Sequence, residues 1–123
     1  MPVRSLRSSV LKWPDRQTVD AAVRRLAERE AAGPLRLRAL GYFGSYATGS
    51  WGAGSDVDLI AVVDQSDLPF EMRAAQWDLS TLPVPADLLV YTTDDWAAMI
   101  RRDDRFARML RRDTVWILGP PAS

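Results

Sequence analysis

Apolar residues recur at helical spacing near the start of the chain. Val19, Val23 and Leu26 follow one another at i, i+4 and i+7, and charged residues occupy the rest of the helical wheel. This period predicts an amphipathic helix with one buried face. Asp15 is a good residue for a helix start and Gly33 precedes a proline, so the helix should begin and end near these two positions.

Further along, short apolar runs lie between segments rich in glycine and proline. Alternating or continuous apolar character predicts strands over residues 35–43, 56–64, 86–91 and 114–118. Helical patterns lie over residues 70–79 and, with a break near Asp103, from an N-cap at Thr93 to Arg112. Because strands and helices alternate without repeats, we expect one compact mixed α/β domain over residues 14–123 and an N-terminal extension over residues 1–13.

The second predicted strand differs from the others. Beyond Asp58 it is apolar on both faces, as in the run from Leu59 to Val63. A strand that is covered on both faces lies in the middle of a sheet. The polar residues at its start should therefore lie next to the buried core.

Composition removes several classes of chemistry. The 123 residues include no cysteine and no histidine, which excludes disulfides, thiolate zinc sites, cysteine nucleophiles and imidazole bases. The carboxylate ligands that remain suit Mg²⁺ or Mn²⁺. Sixteen basic residues balance sixteen acidic ones, so net charge does not indicate nucleic-acid binding, although a local basic patch could still provide it.

The chain shows no hydrophobic targeting segment. Residues 1–13 lack the apolar core of a signal peptide, and no later run approaches the roughly 18 apolar residues of a membrane span. The sequence therefore predicts a soluble, cytoplasmic protein without membrane contact.

Two aspartates, Asp56 and Asp58, open the central strand. Alternate side chains of a strand share a face, so both carboxylates project together, about 7 Å apart along the chain. Like charges placed in this way repel each other unless a cation lies between them. The pair indicates a metal site, and the alternative is a solvated strand start with a capping role.

A glycine turn precedes this pair, at Gly44 and Ser45, and a short helix is expected to start there. Backbone N–H groups in such a turn can face an anion, and the Ser45 hydroxyl adds a donor. With no histidine to act as its base, Ser45 is better suited to bind phosphate than to act as a nucleophile. The turn and the two aspartates together predict a place for a metal-bound polyphosphate.

A third aspartate, Asp87, lies in the next predicted strand. It could be an edge-strand residue that faces water. If the two strands pair with their acidic ends together, Asp56, Asp58 and Asp87 form a cluster that can hold two divalent ions about 3.5–4 Å apart. In that arrangement Asp87 binds the second ion and accepts the proton of the attacking hydroxyl.

These motifs point to a known family. The string Gly-Ser-x-Ala-x-Gly, then Ser-Asp-x-Asp-Leu, then a third aspartate on a later strand, resembles the minimal nucleotidyltransferases of the DNA polymerase β superfamily. The resemblance spans residues 15–118 and implies a small mixed β-sheet flanked by helices. It implies that Gly44 and Ser45 position the triphosphate. It also implies that Asp56, Asp58 and Asp87 are the metal-binding and catalytic carboxylates.

The resemblance also implies an activity and a partner. Relatives transfer a nucleoside monophosphate, here AMP from ATP as the expected donor, to an acceptor hydroxyl with Mg²⁺ as cofactor. Minimal members are often encoded beside a small helical HEPN protein, and some act as antitoxins by adenylylating it. We therefore expect a HEPN-type partner or a homo-oligomer.

Two alternatives remain open at the level of sequence. Many relatives carry Arg where this chain has Thr48, which would suit a catalytically weak or inactive binding module that acts by contact with a partner protein. A small-molecule enzyme, such as an aminoglycoside nucleotidyltransferase, would need a dimer interface to complete its pocket.

Three weaker features accompany the motif. Trp51 could pack in the core or stack on a base. The glycines of the same loop, Gly52 and Gly54, could provide flexibility or close approach to a nucleotide. Four arginines recur at helical spacing and would form a basic stripe on a continuous helix, or else part of a solvated face of mixed charge: Arg101, Arg105, Arg108 and Arg112.

Overall fold

The structure is a computed structural model that describes residues 13–122. Of the expected N-terminal extension, residues 1–12 lie outside the described residues. The helices are α1 (Arg16–Ala31), α2 (Ser45–Thr48), α3 (Phe70–Arg73), α4 (Thr93–Arg102) and α5 (Arg105–Asp113), and a 3₁₀ turn follows α3 at Ala74–Gln76. The strands are β1 (Leu37–Phe43), β2 (Val57–Val63), β3 (Ala86–Thr92) and β4 (Val115–Leu118).

The strands form one sheet in the order β3-β2-β1-β4. β1 is antiparallel to β2 and β4, whereas β2 and β3 are parallel. β2 lies inside the sheet, as its two apolar faces predict, and its residues from Leu59 to Val63 are buried. This small mixed sheet with flanking helices confirms the predicted fold class.

The sheet separates two hydrophobic cores. On one face α1 buries Val19, Val23 and Leu26, the residues whose spacing predicts its apolar side. On the other face α4 and α5 bury apolar side chains that include Met99 and Leu110. None of the helices in residues 13–122 combines the length and apolar character that crossing a membrane requires.

The helix predicted over residues 70–79 is wrong in length. It is limited to α3 and the 3₁₀ turn, and the backbone is already extended at Trp77. The Trp77 side chain is buried in the core on the α1 side, and Asp78 accepts a hydrogen bond from the Ser80 N–H at 3.0 Å. Burial of one large side chain and a local aspartate turn therefore override the helical pattern.

The start of α4 lies one residue earlier than predicted. Thr92, and not Thr93, is the N-cap: its hydroxyl accepts from the Asp95 N–H at 3.0 Å, and the Asp95 carboxylate accepts from the Thr92 N–H at 3.1 Å. This reciprocal pair is a capping box, which satisfies two backbone donors at once.

The predicted break near Asp103 divides the C-terminal helical pattern. Asp103 has a positive φ of 49° and Asp104 caps α5. A continuous basic stripe is therefore wrong, because its arginines lie on two helices. Arg108 lies 3.5 Å from Asp103 and Arg112 lies 2.8 Å from Asp113, which is the mixed-charge solvated face expected as the alternative.

An ion pair caps part of the free edge of β3. Arg73 donates hydrogen bonds to the carbonyls of Leu68 at 2.9 Å and Val90 at 3.1 Å, and to Asp95 at 2.7 Å. Asp95 in turn accepts from the Thr92 N–H. Backbone groups at the C-terminal half of the edge strand are thus satisfied, which protects this half from pairing with another strand.

We expect Arg73→Ala to lower the free energy of unfolding by about 2 kcal/mol, because the substitution removes the side-chain donor of two carbonyls and the charged partner of Asp95. The matched control is Arg102→Ala, which removes an exposed arginine whose ion pair with Asp104 spans 3.9 Å. The control should stay within about 0.5 kcal/mol of the wild type. Urea unfolding measures both, and equal midpoints for the two variants would contradict the role given to Arg73.

Candidate active site

Parallel pairing of β2 and β3 places two of the predicted carboxylates side by side. Asp58 lies directly opposite Asp87 in the register. Neighbouring strands lie about 4.8 Å apart, and side chains at paired positions project from the same face. The two strands therefore meet with their acidic ends together, which was the condition for a carboxylate cluster.

The third carboxylate lies one residue before the strand. Asp56 is exposed, and the Val57 N–H donates to the Pro85 carbonyl at 2.9 Å, where pairing of β2 with the β3 segment begins. Asp56 thus precedes the sheet and keeps its side chain accessible to solvent and ligands.

A tight turn leads into this position. The Ser55 N–H donates to the Gly52 carbonyl at 3.0 Å, and the Gly52 N–H donates to the Ser55 hydroxyl at 2.9 Å. Gly54 supplies the positive φ of 86° that the turn requires. The two glycines therefore shape the approach of the chain to β2, and their predicted contact with a nucleotide stays a prediction.

The surroundings of Asp58 disfavour the charged form of its carboxyl. Burial raises the pKa of this half-buried carboxyl above its usual range, and the charges of Asp87 and Asp56 raise it further. Both neighbours thus lie close enough to act on Asp58 electrostatically. A bound cation would relieve this repulsion.

Gly44 brings the turn backbone against the same carboxylate. Its φ of 73° and ψ of −151° lie in a region that essentially only glycine adopts. A Cβ at this position would lie 2.2 Å from Asp58 Oδ2, so no other residue fits without displacing the carboxylate. The turn and the strand aspartate therefore belong to one local structure.

The short helix α2 begins at Ser45. Its first internal hydrogen bonds run from the Ala47 and Thr48 N–H groups to the Gly44 carbonyl, both at 3.0 Å. The N–H groups of the first two helical residues have no acceptor inside the helix, as at any helix start. The turn therefore offers backbone donors next to Asp58.

Packing beneath α2 holds it in place. Tyr46 is buried and its hydroxyl donates to the Pro14 carbonyl at 2.7 Å. Trp51 stacks on the Tyr46 ring, with centroids 5.5 Å apart and planes at 6°. Trp51 thus packs against the core, which is the first of its two expected roles, and base stacking by Trp51 stays a prediction.

Thr48 lies in the turn at the position where the resemblance led us to expect Arg. Its hydroxyl donates to the Gly44 carbonyl at 3.3 Å and shares a hydrogen bond with Ser50 at 3.0 Å. The side chain therefore folds back on the turn and supplies no positive charge to it.

The donor types fit a divalent cation. Asp56, Asp58 and Asp87 offer hard carboxylate oxygens of the kind that Mg²⁺ and Mn²⁺ prefer. In the part of the chain that the structure describes, no three acidic side chains are already arranged around one metal position. What the structure provides is the backbone register of Asp58 and Asp87 and the contact with Gly44.

An aromatic pair lies beside these residues, and the sequence did not single it out. Phe43 is the register partner of Asp58 on β1, and Phe106 packs on it edge to face with centroids 6.2 Å apart. The two phenylalanines are 63 positions apart in the sequence, so no local pattern could predict their contact.

The mixed sheet, with a glycine turn against a strand carboxylate, is what the resemblance to nucleotidyltransferases implies, and comparison with known proteins agrees on the family. The family model described as "Nucleotidyltransferase domain" matches residues 23–111. The chain belongs to this nucleotidyltransferase family, which confirms the resemblance seen in its motifs. No curated protein matches the chain in sequence.

Two solved structures share the fold. A candidate nucleotidyltransferase from Sulfolobus solfataricus is 19% identical with a TM-score of 0.57, and the match covers 82% of this chain and 80% of that protein. A toxin-antitoxin structure with AMP-PNP is 16% identical with a TM-score of 0.52, and the match covers 81% of this chain and 73% of that one. At such low identity the similarity shows the fold alone.

Proposed function

We propose that the protein transfers a nucleoside monophosphate from an NTP, with AMP from ATP as the preferred case, to an acceptor hydroxyl in a reaction that depends on Mg²⁺ or Mn²⁺. One observation supports this most strongly. Asp58 lies opposite Asp87 at the same end of two parallel strands, and Gly44 lies against the Asp58 carboxylate. Two carboxylates therefore lie next to a turn whose first backbone N–H groups have no acceptor inside the helix, and this arrangement suits a metal-bound triphosphate.

In this reaction the acceptor oxygen forms a bond to the α-phosphorus, and the bond from that phosphorus to the oxygen bridging to the β-phosphate breaks. Pyrophosphate leaves with the electron pair of the broken bond, and the hydroxyl proton passes to Asp87. Gly44 and Ser45 hold the triphosphate through backbone N–H groups and the serine hydroxyl. Catalysis by these residues is mainly positioning and charge neutralisation.

The cation would be held by Asp56, Asp58 and Asp87, and when bound it supplies charge neutralisation and lowers the pKa of the attacking hydroxyl. The carboxylate oxygens of these three residues and their positions along the backbone support the proposal that they hold the cation. The raised pKa of Asp58, caused by burial and then by its acidic neighbours, is the electrostatic condition that a cation would correct.

For the acceptor we propose a hydroxyl on a partner protein of the HEPN type, with this chain as the antitoxin. Asp56 and Asp87 are exposed, so an acceptor carried by another protein can approach the carboxylates from solvent. One structure with the same fold is of a toxin-antitoxin with AMP-PNP, which is consistent with a nucleotide and a protein partner.

A second candidate function is a module that neutralises its partner by contact alone. Thr48 favours this candidate, because its hydroxyl folds back on Gly44 and leaves the turn without the common arginine. The two candidates differ in whether Asp56, Asp58 and Asp87 are needed for partner neutralisation.

The test is isothermal titration of ATP, with and without Mg²⁺, into the wild type and into Asp56→Ala/Asp58→Ala. We expect binding that requires Mg²⁺ in the wild type and no measurable binding in the double variant, because the cation loses two of its ligands. The control, Asp67→Ala/Asp94→Ala, removes the same charge from two exposed aspartates outside the cluster, and it should bind as the wild type does.

Labelled ATP then separates the two candidates. Transfer of label from [α-³²P]ATP to a co-purified partner, lost in Asp56→Ala/Asp58→Ala, would support the enzyme. A wild type that binds no ATP, or a double variant that still neutralises the partner, would contradict it and favour the contact module.

A further inference from the structure

One aromatic side chain that packs on Phe43 is unusually exposed. Phe106 is 37% exposed, and among the large hydrophobic residues of positions 13–122 only Phe70 and Met72 are more exposed. Exposed aromatic rings that lie singly on a surface need no explanation. The exposure of Phe106 is relevant to function because of its position relative to Asp58.

The connection runs through Phe43. Phe43 pairs with Asp58 across β1 and β2, and paired residues of antiparallel strands project from the same face of the sheet. Phe43 also packs in the same core as Ile60, which shares a face with Asp58 through strand alternation. Phe106 therefore contacts Phe43, and Phe43 is the cross-strand neighbour of Asp58.

The geometry of the ring pair leaves a surface available. The planes of Phe43 and Phe106 are at 85°, so the contact is edge to face, and at least one face of Phe106 is left uncovered by Phe43. Phe43 itself is buried and directly precedes Gly44. The partly exposed Phe106 ring thus contacts the residue that directly precedes the proposed triphosphate turn.

We propose that Phe106 stacks on the base of the bound nucleotide. This inference rests on the proposed function. A base is joined through a single ribose to the phosphates that Gly44 and Ser45 would hold, so it must lie near this turn. Because Thr48 supplies no charge to the turn, binding energy from the base would offset part of the missing phosphate contact, and stacking on an aromatic ring can supply it.

The test compares two ligands that differ by the nucleoside: Mg²⁺-ATP and Mg²⁺-tripolyphosphate. Phe106→Leu keeps apolar packing on Phe43 but removes the flat ring, and Phe106→Trp keeps a ring. We expect Phe106→Leu to weaken ATP binding about tenfold while tripolyphosphate affinity stays within about twofold. Phe106→Trp should restore ATP affinity.

The matched control is Phe70→Leu. Phe70 is 40% exposed and its ring lies 5.2 Å from that of Tyr91, toward the opposite end of β3 from Asp87. Its replacement should leave both affinities unchanged.

Three results would overturn the proposal. They are wild-type ATP affinity in Phe106→Leu with transfer to a partner retained, the same affinity with transfer lost, which would make Phe106 a protein contact, and equal weakening of ATP and tripolyphosphate. Each of these leaves the proposed function standing. A wild type that binds neither ligand with Mg²⁺ would instead refute the proposed function, and the base-stacking proposal with it.

Discussion

Asp58→Asn should abolish Mg²⁺-dependent binding of ATP and at the same time raise the melting temperature of the metal-free protein. Binding is lost because the amide cannot replace a carboxylate ligand. Stability rises because the variant removes a half-buried charge that faces Asp87 and Asp56. A residue that opposes stability but is required for binding is typical of a functional site.

The pH dependence follows from the direction of the pKa shift. Burial and acidic neighbours raise the pKa of Asp58 above its ordinary value of 3.8, so the folded state binds this proton more tightly than the unfolded state. The contribution of Asp58 to stability therefore falls as pH rises from about 3.8 through the folded pKa. The advantage of Asp58→Asn should grow over this range and vanish at lower pH.

Thermal unfolding across pH and isothermal titration of Mg²⁺-ATP measure the two effects. Asp67→Asn is the matched control, because Asp67 is exposed and lies outside the cluster, and it should change neither quantity. An Asp58→Asn variant that binds ATP as tightly as the wild type would remove Asp58 from the site.

Gly44→Ala should lower the free energy of unfolding by about 3 kcal/mol and abolish nucleotide binding. The new Cβ would be forced into a backbone region that costs non-glycine residues about 1–3 kcal/mol, and it would lie 2.2 Å from Asp58 Oδ2. The Asp58 carboxylate or the turn must then move, which separates the proposed phosphate and metal ligands.

Gly49 provides the matched control for this variant. It also has a positive φ, 89°, but nothing lies within 4 Å of a Cβ built there. Gly49→Ala should cost about 1 kcal/mol from backbone strain alone and keep nucleotide binding. Urea unfolding and titration of Mg²⁺-ATP separate the two variants, and equal loss of binding in both would show that the contact between Gly44 and Asp58 is not the cause.

Local rules predicted most of the elements. The first helix follows from the spacing of Val19, Val23 and Leu26, and the central position of β2 follows from a strand that is apolar on both faces. The helix predicted over residues 70–79 is too long for a tertiary reason. Trp77 is buried in a core built from distant residues, and that tertiary contact ends a helix that the local pattern would continue.

For the candidate site, too, local features could be predicted from the sequence and long-range contacts could not. The sequence could place Asp56 and Asp58 on one strand, but it could state the meeting with Asp87 only as a condition on strand pairing. Register and direction of pairing depend on long-range packing and are not encoded in any single segment. The contact of Gly44 with Asp58, and the aromatic pair of Phe43 and Phe106, likewise join residues that are distant in the chain.

The place of β3 at the border of the sheet has a thermodynamic consequence. Asp58 and Asp87 are 29 positions apart, and β3 has a strand neighbour on one side only within the described residues. A ligand held by both aspartates would link β3, an edge strand, to β2, an interior strand, across the long segment that connects them. Occupancy and local opening of β3 are then linked equilibria, so nucleotide would slow amide hydrogen exchange in β3 more than elsewhere in the sheet.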